Sequence, residues 1–124
     1  MLEDISLEET LVGYYTWNVG PNLVYLDGVA AQLRDFSEEK AACGIPVEDI
    51  IAQIESGARA RVAKAIYNSL TNGIFYDQQY RIKLKSGGFR WLRTTGRVLL
   101  DGDRIPLMAM GTVRDITARK ILLM

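Results

Sequence analysis

The chain of 124 residues is long enough for one domain with its own core, and its 48% hydrophobic and 24% charged content is that of a soluble globular protein. Its 15 basic and 15 acidic residues cancel, so the charge predicts no nucleic-acid partner. The single cysteine, Cys43, and the absence of histidine exclude an internal disulfide, the usual metal sites and histidine-assisted catalysis. The acidic first residues and short apolar runs predict a cytoplasmic domain without membrane contact.

The first 26 residues contain a predicted helix and a predicted hairpin. Residues 1–12 are loosely amphipathic with acidic side chains in the early turns, which predicts a flanking helix. Residues 14–19 and 23–26 are rich in aromatic and β-branched side chains, and Gly20-Pro21-Asn22 between them is typical of a turn. We therefore expect two antiparallel strands at the start of the domain.

Helical spacing dominates between the second strand and Gly73. The inner stripe of a first short helix is predicted to be Val29, Leu33 and Phe36. Ser37 and Pro46 are typical of the starts of two more short helices. The longest helix is predicted from about Gly57 to Thr71, and Asn72-Gly73 ends it.

After Gly73 the hydrophobic period changes from 3.6 to 2, which is typical of strands. Three strands are predicted, over residues 74–85, 89–100 and 106–114, and glycine-containing turns join them into a meander. Together with the first hairpin, they predict an α+β fold. Its five-stranded antiparallel sheet carries short helices and one longer helix over one face.

Alternation within the last three strands assigns an inner face to the sheet. In the last strand the predicted inner residues are Leu107, Ala109, Gly111 and Val113. Small residues in the middle of this face predict either a closely packed helix or a ligand pocket, and the sequence leaves both open. The candidate pocket residues are Tyr15, Trp17, Ile66, Tyr80, Ile82, Leu92, Thr94, Gly96, Ala109 and Gly111. No carboxylate pair and no inward arginine is evident, so the expected ligand is a small apolar or aromatic organic molecule.

The outer face of the predicted sheet is more apolar than a solvent-exposed face normally is. Phe89, Trp91, Met108 and Met110 fall on it beside arginines. Such a patch usually marks an interface, so we expect the opening helix, a second copy of the domain, or both to cover it.

The second half of the chain carries a recognisable order of motifs. They are Tyr80-Arg81, Ser86-Gly87-Gly88, Arg90-Trp91, Gly111 and Asp115-Ile116-Thr117. This order and spacing resembles the C-terminal half of PAS domains, and the earlier GYYTWNV and LVYLDG segments resemble the first hairpin of that family. The resemblance covers about residues 13–120.

The resemblance implies a sensory module within a larger signalling protein. It places the PAS domain at residues 13–117 and the start of a truncated signalling helix at residues 118–124. It implies that Asp115, Ile116 and Thr117 relay the signal to an effector domain in the same parent chain, such as a histidine kinase or a cyclic-dinucleotide enzyme. It also implies a homodimer. Asp115 and Thr117 can cap the exit helix as well, and the two roles are compatible.

Two cofactors known in similar proteins are disfavoured, and the cofactor is otherwise unknown. Flavin photoreceptors of the LOV type resemble this fold but need a cysteine in a helical motif that this chain lacks, since Cys43 falls outside it. Haem would need methionine, tyrosine or Cys43 as its axial ligand.

Two further functions are alternatives to sensing. One is a small enzyme that uses its cavity for acid-base chemistry on an apolar substrate, with Tyr80 or Asp77 as the proton carrier. The other is a protein-protein adaptor whose outer face, with Trp91, Met108 and Met110, binds a helix.

Overall fold

The computed structural model describes residues 11–122, which form one antiparallel sheet with helices on its inner face. The six strands of the described chain are β1 (Val12–Asn18), β2 (Leu23–Leu26), β3 (Ile45–Pro46), β4 (Tyr76–Lys83), β5 (Phe89–Leu100) and β6 (Pro106–Asp115). Their order in the sheet is β3-β2-β1-β6-β5-β4. The predicted hairpin, meander and α+β class are confirmed. The sixth strand, β3, has only two residues and pairs with β2 at the edge.

The helices are α1 (Gly28–Leu33), α2 (Glu38–Cys43), α3 (Val47–Gln53), α4 (Ser56–Asn72) and α5 (Thr117–Leu122). The carboxylate of Asp27 caps α1 by accepting from the backbone N–H of Ala30 at 2.8 Å, and the Ser37 hydroxyl caps α2. Gly73 ends α4 in the left-handed conformation. None of the helices within residues 11–122 combines the length and the apolar content that crossing a bilayer requires.

The predicted flanking helix falls mostly outside the described residues, which begin at residue 11. Its predicted last residue, Val12, is instead the first residue of β1 and pairs with Arg114 of β6. The strand therefore begins earlier than the aromatic pattern indicated, because pairing with the long β6 extends β1 beyond its own hydrophobic run.

The alternation predicted for the meander holds except at one residue. Tyr80, Ile82, Leu92 and Val113 are all buried on the inner face. Leu107 was predicted inside but is 58% exposed. The register between β5 and β6 shifts at Leu99 and Leu100, so Leu107 faces no partner residue and the simple alternation breaks there.

Helix α1 is rotated relative to the sequence prediction. Its buried residues are Ala30 and Ala31, followed by Arg34 at its C-terminal cap, whereas the predicted stripe of Val29, Leu33 and Phe36 is half-buried. Ala30 packs directly on Gly13 of β1, where a Cβ atom would lie 2.5 Å from the Ala30 backbone nitrogen. The missing side chain of Gly13 thus allows α1 to lie against the sheet with its smallest residues inward.

This contact predicts a specific cost for enlarging Gly13. Gly13→Ala should lower the free energy of unfolding by about 1–3 kcal/mol, because α1 must move away from β1. Gly57→Ala is the matched control, since a Cβ there meets nothing within 4 Å and lies in α4. It should be neutral or stabilising by up to about 1 kcal/mol. Urea denaturation measures both variants, and equal effects would contradict the close packing of α1.

Candidate ligand cavity and exit-helix junction

A row of four paired residues crosses the centre of the sheet, and its two middle positions are glycines. Tyr15 of β1 pairs with Gly111 of β6, Gly111 pairs with Gly96 of β5, and Gly96 pairs with Tyr76 of β4. The Tyr15 side chain reaches over this row, and its hydroxyl donates to the backbone carbonyl of Thr95 at 3.0 Å. A Cβ on Gly96 would lie 2.2 Å from the Tyr15 hydroxyl oxygen. One part of the space above the small residues is therefore filled by a tyrosine of the sheet itself.

The rest of that space is a cavity of about 80 Å³ between the sheet and helices α3 and α4. The predicted pocket residues that line it are Tyr15, Trp17, Ile66, Tyr80, Thr94, Gly96 and Ala109. Ile82 and Leu92 do not line it, and both lie fully buried in the core. Gly111 does not line it either, and a Cβ there would fall 1.7 Å from the Thr95 carbonyl oxygen. Gly111 is small because two strands approach closely, not because a ligand needs room.

Arg34 lines the cavity, which corrects the expectation that no arginine faces inward. The residue is 4% exposed, and its Nη2 donates to the Tyr80 hydroxyl. Its Nη1 is buried without a hydrogen-bond partner in the described chain. Arg34 follows Ala30 by four residues, so the correct helix rotation would have placed it inward. The sequence prediction missed it because it chose the larger apolar residues as the buried stripe.

The polar groups beside Arg34 are neutral hydroxyls. Thr94 Oγ1 donates to the Tyr80 hydroxyl at 3.0 Å. Burial raises the pKa of Tyr15 to about 12, although the nearby Arg34 charge works in the opposite direction. Burial also raises the pKa of Tyr76, and the neighbouring Tyr80 adds to the rise. Both phenols therefore stay protonated at neutral pH and present O–H groups rather than negative charge.

The two candidate proton carriers of the enzyme hypothesis lie on opposite faces of β4. Tyr80 faces the cavity, whereas Asp77 is exposed on the outer face. Arg93 donates two hydrogen bonds to the Asp77 carboxylate, of 3.0 and 2.7 Å, and so holds its pKa below the usual range. Asp77 is a paired surface carboxylate that cannot act with Tyr80 on a molecule in the cavity.

The predicted relay residues form a compact junction between β6 and α5. The Asp115 carboxylate accepts from the backbone N–H of Thr117 at 2.9 Å, and Ile116 is buried. The backbone of Trp91 in β5 forms hydrogen bonds with Ile116 and Thr117, the two residues that follow Asp115. Its N–H donates to Thr117 Oγ1 at 2.9 Å, and its carbonyl accepts from the Ile116 N–H at 2.9 Å. The start of the exit helix is therefore fixed to β5, the strand next to the edge strand β4.

Arg90 connects this junction to the end of α1. Its Nη1 donates to the backbone carbonyls of Gln32 at 3.1 Å and Leu33 at 2.7 Å. Its Nε lies 3.5 Å from Asp115 Oδ2. Leu33 directly precedes Arg34, so one side chain joins the segment that carries the cavity arginine to the base of the exit helix.

The outer face has the residues that the sequence assigned to it, with different degrees of exposure. Phe89 and Met110 are each 44% exposed, and Met108 is half-buried. The half-buried Trp91 ring lies under the exit helix, with Lys120 Nζ at 4.7 Å from the ring centroid. Trp91 therefore belongs to the junction rather than to an open apolar patch.

A sheet that encloses a cavity under helices and continues from its last strand into an exit helix defines a small α+β domain with an internal cavity. The sequence model of the PAS fold matches residues 23–113, and the chain belongs to this family. No curated protein matches the chain in sequence.

Solved structures agree with this assignment. A sensory box histidine kinase/response regulator from Burkholderia thailandensis superposes with a TM-score of 0.79 at 25% identity, over 98% of this chain and 88% of that one. The N-terminal domain of a Marinobacter aquaeolei diguanylate cyclase with PAS/PAC sensor gives 0.77 at 16% identity, over 88% and 98%. A domain of a putative light and redox sensing histidine kinase from Haloarcula marismortui gives 0.74 at 18% identity, over 94% and 100%.

The buried Tyr15 hydroxyl predicts a pH-dependent contribution to stability. Its folded pKa of about 12 exceeds the ordinary 10.0, so this contribution is present below pH 10 and is lost as the pH rises towards 12. Tyr15→Phe should cost about 0.5–1.5 kcal/mol near neutral pH, because the Thr95 carbonyl loses its donor. The difference from the parent chain should narrow by at most about 1.4 kcal/mol per pH unit above pH 10.

Urea denaturation across this pH range measures the effect. Tyr67→Phe, on a ring that is 64% exposed, is the control and should leave the stability near neutral pH unchanged. A constant difference between Tyr15→Phe and the parent chain up to pH 12 would contradict the raised pKa of Tyr15.

Proposed function

We propose that this PAS domain senses a small organic molecule in its cavity and relays the signal through the β6–α5 junction to an effector domain in the same parent chain. The observation that carries the proposal is the cavity itself. Apolar side chains form most of its wall, and a few buried polar groups converge on it from α1, α4 and the sheet. Such a combination is typical of small-molecule sites.

The Arg90 bridge supports a physical route for the relay. A ligand that contacts Arg34 favours one position of the α1 end, and Arg90 holds both that end and Asp115. Because a ligand shifts an equilibrium only by its differential affinity, the junction must have two arrangements that differ at the α1 end. Asp115, Ile116 and Thr117 are the proposed relay residues.

The parent protein, the cellular location and the oligomeric state are also part of the proposal. The similarity to a sensory box histidine kinase and to a diguanylate cyclase with a PAS/PAC sensor supports one of these two classes as the parent protein, and with it a cytoplasmic location and a homodimer. The outward Phe89, Met108 and Met110 are proposed as the dimer face, since an exposed apolar patch usually marks an interface. The adaptor hypothesis uses the same face, but Trp91 is not available for binding there because the exit helix covers it.

Neither flavin nor haem is part of the proposed function. Cys43 is exposed at the end of α2 and does not line the cavity, so it cannot form the bond that LOV-type flavin chemistry requires. The chain has no histidine for a haem iron. The hydroxyls and guanidinium of the wall suit an organic ligand better than a metal.

Native mass spectrometry of the purified domain tests sensing and dimerisation together. We expect a dimer that retains a small molecule, and Ala109→Phe should lose that molecule because the ring fills the cavity. Val98→Phe is a second blocking variant, and Ala63→Phe, on an exposed position of α4, is the control that retains it. A dimer without any bound molecule would contradict ligand sensing but would remain compatible with signal relay by a dimer. A monomer without a bound molecule would contradict both ligand sensing and relay.

Thr117→Val tests whether the junction is held as proposed. The Trp91 N–H loses its acceptor, which should cost about 1–2 kcal/mol locally and raise its hydrogen exchange rate by about 5–30-fold, together with the exchange of α5. Thr71→Val, which removes an exposed hydroxyl bond within α4, is the matched control and should leave α5 unchanged. Unchanged exchange at α5 in Thr117→Val would argue against relay through this contact.

A further inference from the structure

The buried guanidinium of Arg34 has too few partners for a structural arginine. The residue is 4% exposed, and within the described chain its single hydrogen bond to another side chain runs from Nη2 to the Tyr80 hydroxyl. Nη1 has no partner, although it is completely shielded from solvent. A buried charge without hydrogen bonds and a counter-charge destabilises the folded state, so such groups are normally paired or functional.

Among the described residues, no counter-charge lies on the cavity wall. None of the described residues that line the cavity is an aspartate or a glutamate. The carboxylates of Asp115 and Glu55 are paired with Arg90 and Arg81. Tyr15 and Tyr76 do not supply negative charge, because burial keeps both phenols protonated. The positive charge in the cavity is therefore uncompensated by the protein.

We propose that the cavity binds a small organic monocarboxylate, with its carboxylate on the Arg34 guanidinium. This inference rests on the proposed ligand-sensing function and specifies its ligand. Nη1 supplies one charge-assisted hydrogen bond to the carboxylate. The Tyr80 oxygen already accepts bonds from Arg34 and Thr94, which leaves its own proton available as a second donor to the ligand. Arg97 also borders the cavity, but it is exposed and its guanidinium lies 4.9 Å from the Phe75 ring centroid. Arg34 is therefore the buried guanidinium of the lining, and it matches one carboxylate.

The remaining walls specify the body of the ligand. Val24, Leu26, Ile50 and Val62 are buried apolar residues of the lining, so the body is aliphatic or otherwise apolar. The volume of about 80 Å³ is roughly half of the ~150 Å³ cavity that accommodates benzene, which favours a short chain. Ser69 Oγ, which is buried and lacks a partner in the described chain, can bond to one additional polar atom such as a hydroxyl.

Binding of butyrate and its neutral isostere butyramide tests the proposal. Isothermal titration calorimetry on the purified domain should give at least a tenfold preference for butyrate, since hydrogen bonds to charged groups are stronger. In Arg34→Met the preference should fall below about twofold, while Arg34→Lys should keep part of it. Arg61→Met, which changes an exposed arginine of α4, is the matched control and should keep the full preference.

Thermal unfolding gives a second measurement that does not depend on calorimetry. Without added anion, Arg34→Met should be at least as stable as the parent chain, because it removes an uncompensated buried charge. Butyrate at a saturating concentration should raise the Tm of the parent chain and leave that of Arg34→Met unchanged. A less stable Arg34→Met variant, with no response of the parent chain to butyrate, would mean that Arg34 only supports Tyr80.

The possible outcomes separate this inference from the proposed function. Equal binding of butyrate and butyramide would overturn the carboxylate inference while supporting a cavity that senses small organic molecules. Chloride binding as tightly as butyrate would overturn it too, since the site would then select charge alone. If neither compound binds to the folded parent chain at millimolar concentration, the carboxylate inference fails, whereas the proposed sensing function fails only if native mass spectrometry also finds no retained molecule.

Discussion

The Tyr15 side chain lies across the centre of the sheet because Gly96 leaves room for its hydroxyl. With a Cβ on Gly96, the Tyr15 hydroxyl could not reach the Thr95 carbonyl, and the ring would have to move into the space that is now the cavity. The two glycines weaken the strands locally, and the tyrosine ring covers the backbone that they expose. This arrangement fixes the floor of the cavity, and Tyr76 at the other end of the row completes it.

A second glycine contact decides the chemistry of the cavity. Gly13 allows Ala30 to touch the sheet, and this contact fixes the rotation of α1. The same rotation carries Arg34 inward, next to Tyr80, and turns the larger residues Val29 and Leu33 partly outward. An apolar cavity thereby acquires a positive charge. In a domain of this size the charge has an unfavourable effect on stability, which a bound anion can offset.

The side chains and the backbone of β5 have different structural roles. Leu92, Thr94 and Gly96 face the core and cavity, while the backbone of Trp91 holds the first residues of the exit helix. Arg90, at the beginning of the same strand, reaches both the end of α1 and Asp115. The end of α1 and the exit helix are thus joined through a few hydrogen bonds at one end of one strand. In the proposed relay, a small displacement of α1 is enough to change the position of the exit helix.

The structure also separates residues that looked equivalent in the sequence. Gly96 and Gly111 share a row and a face, yet one makes room for the Tyr15 hydroxyl and the other for the backbone of β5. Tyr80 and Asp77 were both candidates for acid-base chemistry, although alternation predicted that Asp77 faces outward, and they do lie on opposite faces of β4. Trp91 and Met110 were assigned to one docking surface, but the exit helix packs over Trp91 and leaves Met110 exposed.

The sequence by itself determined the meander, the cap at Ser37 and the long helix α4, because each depends on periodicity or on hydrogen bonds between neighbouring residues. Its motif order also indicated the PAS family. It could not determine β3, which is too short for any period, or the rotation of α1, since six residues make fewer than two turns. The inward position of Arg34 and the different reasons for Gly96 and Gly111 were decided by contacts between distant segments. Only the tertiary structure brings those segments together, and for that reason the charge in the cavity could not be predicted from the sequence.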